Sequence, residues 1–225
     1  MIKQASIAIF AAMLSFPAMA TDPATLKTDK DKLSYTMGAQ IAANFKKTEI
    51  DVNIDAFVNG LKDILTGKGS ALTAEQMQTA MQQLKKVAIK QRAAKADAAK
   101  NTGDQFLAEN KKKKGIITLP SGVQYKIVRA GTGEIPKASD NITADYEGRL
   151  ISGKVFDSSY KRGKPASFPV NGVIKGWQEV LQLMKVGAKW QVYIPSELAY
   201  GASGAGRNIG PNEALIFDIE LKKIN

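Results

Sequence analysis

The sequence predicts an α+β protein in which helices come first and an antiparallel sheet follows. Two observations support this fold class. Up to about residue 113, the apolar side chains recur every three or four positions, which is the period of a helix face. From Gly115 onward they alternate with polar side chains, and glycine or proline stands in every gap. We therefore expect an all-α N-terminal segment, a long spacer helix and a C-terminal antiparallel sheet wrapped on one short helix.

The composition restricts the chemistry that this chain can perform. Its 225 residues, 44% hydrophobic and 24% charged, suit one or two globular domains. It contains neither cysteine nor histidine, which excludes disulfides, thiolate nucleophiles and the commonest transition-metal ligands. Any reaction must proceed without a Ser-His or Cys-His couple, and we expect no metal ion and no cofactor.

Residues 1–20 are typical of a signal peptide. Lys3 supplies the positive start, residues 7–16 form an apolar run too short to span a bilayer, and Ala18-Met19-Ala20 is a cleavage motif. The alternative is a hydrophobic hairpin helix of the mature protein. No later segment is apolar enough to cross a membrane. We expect a mature chain that is exported to the periplasm, with outer-membrane association or the cell surface as alternatives.

Two short amphipathic helices are predicted in residues 21–72. In the first, Leu33, Met37, Ile41 and Phe45 repeat every four positions. Asn53 can cap the second helix, and glycines end it. The apolar face of the second helix consists of Ile54, Phe57, Val58, Leu61, Ile64 and Leu65.

The apolar faces of these helices need a partner. Helices of this length barely persist alone in water, and a segment this small buries too little apolar surface to be an independent domain. We therefore predict a homodimer that forms through residues 22–85. The alternative is a monomeric helical cap that folds onto the C-terminal domain.

A long connecting helix is predicted over residues 73–113. Thr73 and Gln76 form a capping box at its start. An apolar stripe then ends at Ala88, beyond which Ala, Lys and Gln predominate. We expect the first half to pack and the second half to stand in solvent as a spacer, with Gly103 as its weakest point.

The net charge of +11 is concentrated in residues 85–114, which carry ten basic and three acidic side chains. Nucleic-acid binding is one interpretation of such a segment. The signal peptide and the lack of aromatic residues between Lys85 and Lys100 argue against it, so we favour a solvated helix face and expect no nucleic acid. A tether through residues 111–114 to an anionic surface such as lipopolysaccharide stays open.

The C-terminal domain, residues 114–225, is predicted to be mostly strand. The alternation indicates strands over 123–128, 142–147, 188–194 and 214–221. One helix is expected over 176–184. The side chains of alternate residues in the last two strands should face the core: Trp190, Val192, Ile194, Leu215, Phe217, Ile219 and Leu221.

Five segments of this domain carry a family resemblance, in order and at matching spacing. They are LPSGVQYKIVRAGTG (119–133), ADYEGRLISGKVFDSS (144–159), VIKGWQEVLQLMKVGAKW (173–190), AYGASG (199–204) and ALIFDIEL (214–221). Across 119–225 the chain resembles the FKBP-type peptidyl-prolyl cis/trans isomerases. The helical N-terminal part, with YTMGAQIAANFKK (35–47), resembles the exported, dimeric Mip-like and FkpA-like branch of that family.

The resemblance implies an enzyme that twists Xaa-Pro bonds without a covalent intermediate. Its substrates would be proline-containing polypeptides, and it would accelerate the folding of exported proteins while acting as a chaperone. It also implies binding of macrolide inhibitors of the rapamycin type. The alternative is a chaperone or surface-binding protein that uses the same pocket only as a binding cleft.

The resemblance also implies the pocket residues. By position they are Tyr146, Phe156, Asp157, Val173, Ile174, Trp177, Tyr200 and Phe217. Trp177 should form the floor beneath the proline ring, and Tyr146, Phe156 and Phe217 should form the walls. Without the resemblance, Trp177 and Phe217 would be interpreted as ordinary core aromatics.

The polar groups of the pocket follow from the same resemblance. The backbone N–H of Ile174 and the hydroxyl of Tyr200 should hold substrate carbonyls. Asp157 should face the twisting amide, held by Tyr146 and Arg162. At the pocket edges, Ile209 should close one side, and Phe168 should serve where Ala166 replaces an aromatic residue of other members.

Overall fold

The computed structural model describes residues 25–48 and 50–225, so the predicted signal peptide and its cleavage motif lie outside the described residues. The chain divides into two compact units, the first ending at Thr73 and the second running from Ala74 to Asn225. Within the described part, no helix combines the length and apolarity needed to cross a bilayer.

The first unit contains two helices, α1 (Asp29–Thr48) and α2 (Ile54–Leu65). Asn53 caps α2 as predicted, because its side-chain Oδ1 accepts the N–H of Ala56 at 3.0 Å. Phe45 and Phe57 meet edge to face, with ring centroids 5.4 Å apart. Nevertheless, no described residue of either helix is buried. The two predicted apolar faces therefore lie open on the chain considered alone.

The second unit begins with α3 (Ala74–Asn110), a continuous helix of 37 residues. It is about 56 Å long, at about 1.5 Å per residue. The prediction that its second half stands in solvent is wrong for the last two turns, where Gly103, Leu107 and Asn110 are buried, whereas most residues from 88 to 102 are exposed. The helix is also unbroken at Gly103. The buried stripe contains one large apolar residue, Leu107, beside a glycine and an asparagine, so it lacks the repeat of large apolar side chains that identifies a packed helix face.

In the described part of the chain, seven antiparallel strands form one sheet in the order β1-β2-β6-β7-β3-β4, and β5 pairs with β3. Their bounds are β1 Ile116–Thr118, β2 Gln124–Arg129, β3 Asn141–Leu150, β4 Val155–Ser158, β5 Ala166–Pro169, β6 Lys189–Ile194 and β7 Leu215–Ile224. The four predicted strands correspond to β2, β3, β6 and β7. The remaining strands, β1, β4 and β5, have three or four residues each and were not predicted from the sequence.

The main core lies between the sheet and α5 (Lys175–Leu181). Trp177, Val180 and Leu181 of α5 are buried there. The predicted inward faces of β6 and β7 are all buried as well. One further turn of helix, α4 (Ser159–Arg162), follows β4. The predicted α+β class, with an antiparallel sheet wrapped on one short helix and helices before it, is confirmed.

Candidate active site

A cleft of about 290 Å³ opens between α5 and the sheet. It is lined by Tyr146, Phe156, Asp157, Phe168, Gly172, Val173, Ile174, Trp177, Tyr200 and Phe217. The side chains come from β3, β4, β5, α5, β7 and the connections beside them. The structure thus brings nearly all of the expected pocket residues to one place.

Aromatic rings surround the buried indole of Trp177, which is 3% exposed. The centroids of Tyr146 and Phe217 each lie 5.3 Å from that of Trp177, and the centroid of Phe168 lies 5.8 Å from it. All three contacts are edge to face, the arrangement that the ring quadrupoles prefer. Each ring fixes its neighbour, so the cleft has a rigid apolar floor and walls.

A glycine makes room for two of these walls. Gly148 in β3 pairs with Phe217 of β7 and with Asp157 of β4. A Cβ on Gly148 would lie 2.6 Å from ring atoms of both Phe156 and Phe217, which is too close for either ring to stay in place. The two phenylalanine rings, with centroids 5.6 Å apart, occupy the space above this glycine.

The polar side of the cleft is a closed cluster of three side chains. The hydroxyl of Tyr146 donates to Oδ2 of Asp157, and Nη1 of Arg162 donates to Oδ1. Nη2 of Arg162 also donates to the Tyr146 oxygen at 2.8 Å. Arg162 lies in α4, and the Ser158 side chain caps that turn by accepting the N–H of Lys161. Both carboxylate oxygens are therefore held in one orientation.

The pKa values of this cluster keep each group in one protonation state near neutral pH. Burial alone would raise the pKa of Asp157, but hydrogen bonds from Tyr146 and Arg162 outweigh it and hold the pKa below its usual range. Burial, with the hydrogen bond to Asp157, raises the pKa of Tyr146. Burial and then the charge of Asp157 raise the pKa of Tyr200. These groups do not form an acid–base couple.

Two of the expected residues, Ile209 and Arg162, lie outside the lining of the cleft, whereas Phe168 lies within it. Ile209 is 8% exposed and belongs to the main core, outside the lining of the cleft. Arg162 contacts the cleft only through Asp157 and Tyr146. Phe168, beside the small Ala166, provides an aromatic wall.

Gly172 also lines the cleft and was not predicted from the sequence. A Cβ there would lie 2.6 Å from Cγ of Pro169, so the glycine allows the chain to turn tightly into Val173. Its position directly before the motif that begins at Val173 was the available signal.

Comparison with known proteins gives consistent matches. Residues 132–222 match the family described as FKBP-type peptidyl-prolyl cis-trans isomerase. Residues 30–127 match the family described as the domain amino terminal to FKBP-type peptidyl-prolyl isomerase. Together these matches span both units.

Individual relatives cover most of the chain. Outer membrane protein MIP of Legionella longbeachae is 48% identical, over 97% of this chain and 96% of its own. Peptidyl-prolyl cis-trans isomerase Mip of Coxiella burnetii is 47% identical, over 93% and 92%. The crystal structure of FkpA from Escherichia coli matches with a TM-score of 0.69 and 35% identity, covering 89% of this chain and 98% of that one.

Proposed function

This chain belongs to the family of FKBP-type peptidyl-prolyl cis-trans isomerases, and from that premise we propose that its aromatic cleft twists the Xaa-Pro bonds of exported polypeptides. The isomerase activity and proline-containing substrates follow from the family. The observation that best supports the proposed location is the cleft around Trp177, which joins aromatic walls to the oriented carboxylate of Asp157.

Desolvation supplies the first part of the mechanism. Amide resonance gives the planar bond a barrier of about 18–20 kcal/mol, and the planar form is charge-separated and well solvated by water. Inside walls formed by Tyr146, Phe156 and Phe217, with Trp177 under the proline ring, the amide loses that water. The less polar twisted state loses less solvation than the planar state, so the barrier falls.

The carboxylate supplies the second part. The carbonyl oxygen of a planar amide carries partial negative charge, and this charge decreases as the bond twists. Asp157, ionised and held by Tyr146 and Arg162, disfavours the planar charge distribution when it faces that carbonyl. The N–H of Ile174 and the hydroxyl of Tyr200 hold neighbouring substrate carbonyls, so the chain on one side of the bond stays fixed while the other rotates.

A refolding assay tests this proposal. A protein whose refolding is limited by an Xaa-Pro bond refolds in tens to hundreds of seconds without catalysis. We expect the unaltered protein to accelerate that phase in substoichiometric amounts. The Asp157→Leu and Trp177→Ala variants should lose at least about tenfold in catalytic efficiency, which corresponds to about 1.4 kcal/mol of transition-state stabilisation.

Two controls distinguish lost chemistry from lost folding. Asp97→Leu makes the same chemical change at an exposed site on α3 and should leave the acceleration unchanged. Because truncating a buried Trp costs about 3–5 kcal/mol, circular dichroism must show that Trp177→Ala is folded in the assay. If folded Asp157→Leu and Trp177→Ala accelerate refolding as well as the unaltered protein does, the proposed mechanism is wrong.

A chaperone role for the first unit is a second proposal, favoured by its exposed apolar faces. Leu61 is 49% exposed and Leu65 is 78% exposed, although both lie on the apolar side of α2. We propose that residues 22–85 pair in a homodimer and that the paired arms hold non-native chains for the two clefts. The FkpA likeness, which includes the helical part, supports this arrangement.

Export and inhibitor binding complete the proposal. The signal-peptide pattern of residues 1–20, and a relative named as an outer membrane protein, support export to the periplasm or beyond. A cleft with this aromatic lining suits a macrolide of the rapamycin type, which would compete with proline peptides.

A further inference from the structure

The second half of α3 lies against the segment that carries Tyr200 of the cleft. This segment, residues 196–214, connects β6 to β7 and also contains Ile209. Four residues of α3 contact this segment: Arg92, Ala96, Lys100 and Gly103. They are four, four and three positions apart, so they lie on one face of the helix.

Two basic side chains of this face bind the turns on either side of Tyr200. Nη2 of Arg92 donates to the backbone oxygen of Ser203 at 3.1 Å. Nζ of Lys100 lies 3.0 Å from Oε1 of Glu197. Each contact alone is weak because it is exposed. Together they attach α3 to the chain just before and just after Tyr200.

Asn212 connects α3 to the same turn from the far end of the segment. Its side-chain Nδ2 donates to the carbonyl of Ala96 at 3.4 Å, and its backbone N–H donates to the carbonyl of Gly201 at 2.8 Å. Its φ of 56° lies in the left-handed region, where among the described residues it is the only non-glycine. Asparagine tolerates this region better than other non-glycine residues, so Asn212 suits a turn at this point. The residue after Tyr200 is thus linked through Asn212 to the helix.

Gly103 permits the close approach that these contacts require. A Cβ on Gly103 would lie 3.1 Å from Cβ of Ala214, tighter than ordinary packing. Beyond it, Leu107 packs with Tyr193 and Ile216 on the outer face of the sheet. A glycine in a helix costs roughly 0.5–1 kcal/mol relative to alanine, so this position favours close packing over helix propensity.

We propose that α3 is a positioning element of the enzyme: its face at residues 92–103 holds the 196–214 segment so that the Tyr200 hydroxyl reaches the substrate. This inference rests on the proposed function, which gives Tyr200 a substrate carbonyl to bind. The helix that leaves the first unit therefore also fixes one side of the cleft.

A double-mutant comparison tests the inference on the chain from residue 21. Gly103→Leu forces α3 away from Ala214, and kcat/KM for a proline peptide should fall on the order of tenfold, since small displacements of binding groups have effects of this size. In the unaltered background, Tyr200→Phe should cost roughly three- to tenfold. In the Gly103→Leu background, Tyr200→Phe should leave kcat/KM nearly unchanged, because the Tyr200 hydroxyl is already displaced from the substrate.

Asp157→Leu distinguishes a local displacement of Tyr200 from a general loss of structure in the cleft, because a general loss would abolish the effects of both substitutions. Asp157 lies in β4, outside the 196–214 segment, so its substitution should still lower kcat/KM clearly in the Gly103→Leu background. Gln105→Leu is the matched control, since it places the same side chain on an exposed position of α3. It should change neither kcat/KM nor the cost of Tyr200→Phe. An equal cost of Tyr200→Phe with and without Gly103→Leu would overturn the inference.

A milder pair of variants applies if Gly103→Leu does not fold. Gly103→Ala adds one methyl group at the contact, and Ala214→Gly removes the methyl group that it meets. We expect Gly103→Ala to lower kcat/KM about threefold and the double variant to recover it. A Gly103→Ala variant with full activity, or one that Ala214→Gly does not rescue, contradicts the inference.

The Asp157→Leu variant distinguishes an error about the cleft from an error about α3. If Asp157→Leu has no effect in the unaltered background, the proposed role of the cleft is wrong. If Asp157→Leu has its effect but Gly103 and Tyr200 act independently, only the role of α3 is wrong.

Discussion

At the scale of single residues, Gly148 explains why the cleft has two phenylalanine walls. It is the position in β3 beneath both Phe156 and Phe217, and any side chain would displace their rings. We expect Gly148→Ala to lower kcat/KM about tenfold and the free energy of unfolding by about 1–3 kcal/mol, the usual range for overpacking.

Peptide kinetics and denaturant unfolding measure the two effects of Gly148→Ala. Gly60→Ala in α2 is the matched control, because a Cβ there meets nothing within 4 Å. It should leave kcat/KM unchanged. Full activity in Gly148→Ala would show that the spacing of the two rings does not matter for the reaction.

The protonation states predict a flat pH profile. Asp157 has a pKa below its usual range and is ionised above about pH 4, whereas Tyr146 and Tyr200 have raised pKa values and stay protonated below about pH 10. With a peptide that does not titrate, kcat/KM should be constant from about pH 5 to 9. A bell-shaped profile within this range would indicate a general base and contradict the mechanism.

The stability contribution of Asp157 has a definite sign. Because its folded pKa lies below its unfolded pKa, its contribution is complete above the unfolded pKa, about 3.9. It is lost as the pH falls through the folded pKa. Asp157→Leu should therefore flatten the acid limb of the stability profile.

Most cleft residues could be named from the sequence, but only through the family resemblance. Periodicity alone assigns Trp177 and Phe217 to the core, and both are indeed buried. It cannot reveal that Phe156 and Asp157 face a cleft, since β4 has four residues and too few alternations to define a face. Arg162 meets Asp157 through the turn of α4, which depends on tertiary structure.

At the scale of elements, the junction between α3 and the sheet is held by buried amides. Nδ2 of Asn110, which is 1% exposed, donates to Oε1 of Gln124 at 3.0 Å. Nε2 of Gln124 in turn donates to the carbonyl of Leu107 at 2.8 Å. The pair satisfies the buried side-chain amides of Asn110 and Gln124, and Gln124 is a second donor to the Leu107 carbonyl, which also accepts the N–H of Lys111.

Replacing one residue of this pair should lower the free energy of unfolding more than replacing both. Gln124→Leu leaves the Asn110 amide buried without its acceptor, so we expect the free energy of unfolding to fall by about 1–3 kcal/mol. The double variant Asn110→Leu, Gln124→Leu should recover part of that loss. Equilibrium denaturation measures both, and a double variant that loses the sum of the two single losses would contradict this explanation.

The helices and long strands were predictable because their repeats extend over enough residues to establish a period. The three short strands lack that length. The docking of α3 was not predictable for a different reason. Its contacts use a glycine, an alanine and charged side chains, which are residues that also fill solvated helix faces.

At the scale of the whole molecule, the first unit requires an explanation for its exposed apolar faces. The dimer proposal predicts a solution molar mass twice that of one chain for residues 21–225. Leu61→Lys places a charge on the apolar face of α2 and should give single chains, because burying an unpaired charge is unfavourable. Light scattering coupled to size exclusion measures the masses.

The control is Asn59→Lys, which places the same charge on the polar side of α2, and this variant should remain a dimer. A single-chain mass for the unaltered protein would contradict the dimer and leave the isomerase activity intact. In that case the apolar faces of α1 and α2 would be free to bind non-native chains, and they would not form a dimer interface.

The most direct test of the account observes the isomerising bond itself. In NMR exchange spectroscopy, a short proline peptide shows separate cis and trans signals without exchange peaks at sub-second mixing times, because the uncatalysed process takes tens to hundreds of seconds. We predict exchange peaks when a substoichiometric amount of this protein is added, and their loss with Asp157→Leu. Peptide binding by the unaltered protein without exchange peaks would contradict the account and make the cleft a binding site only.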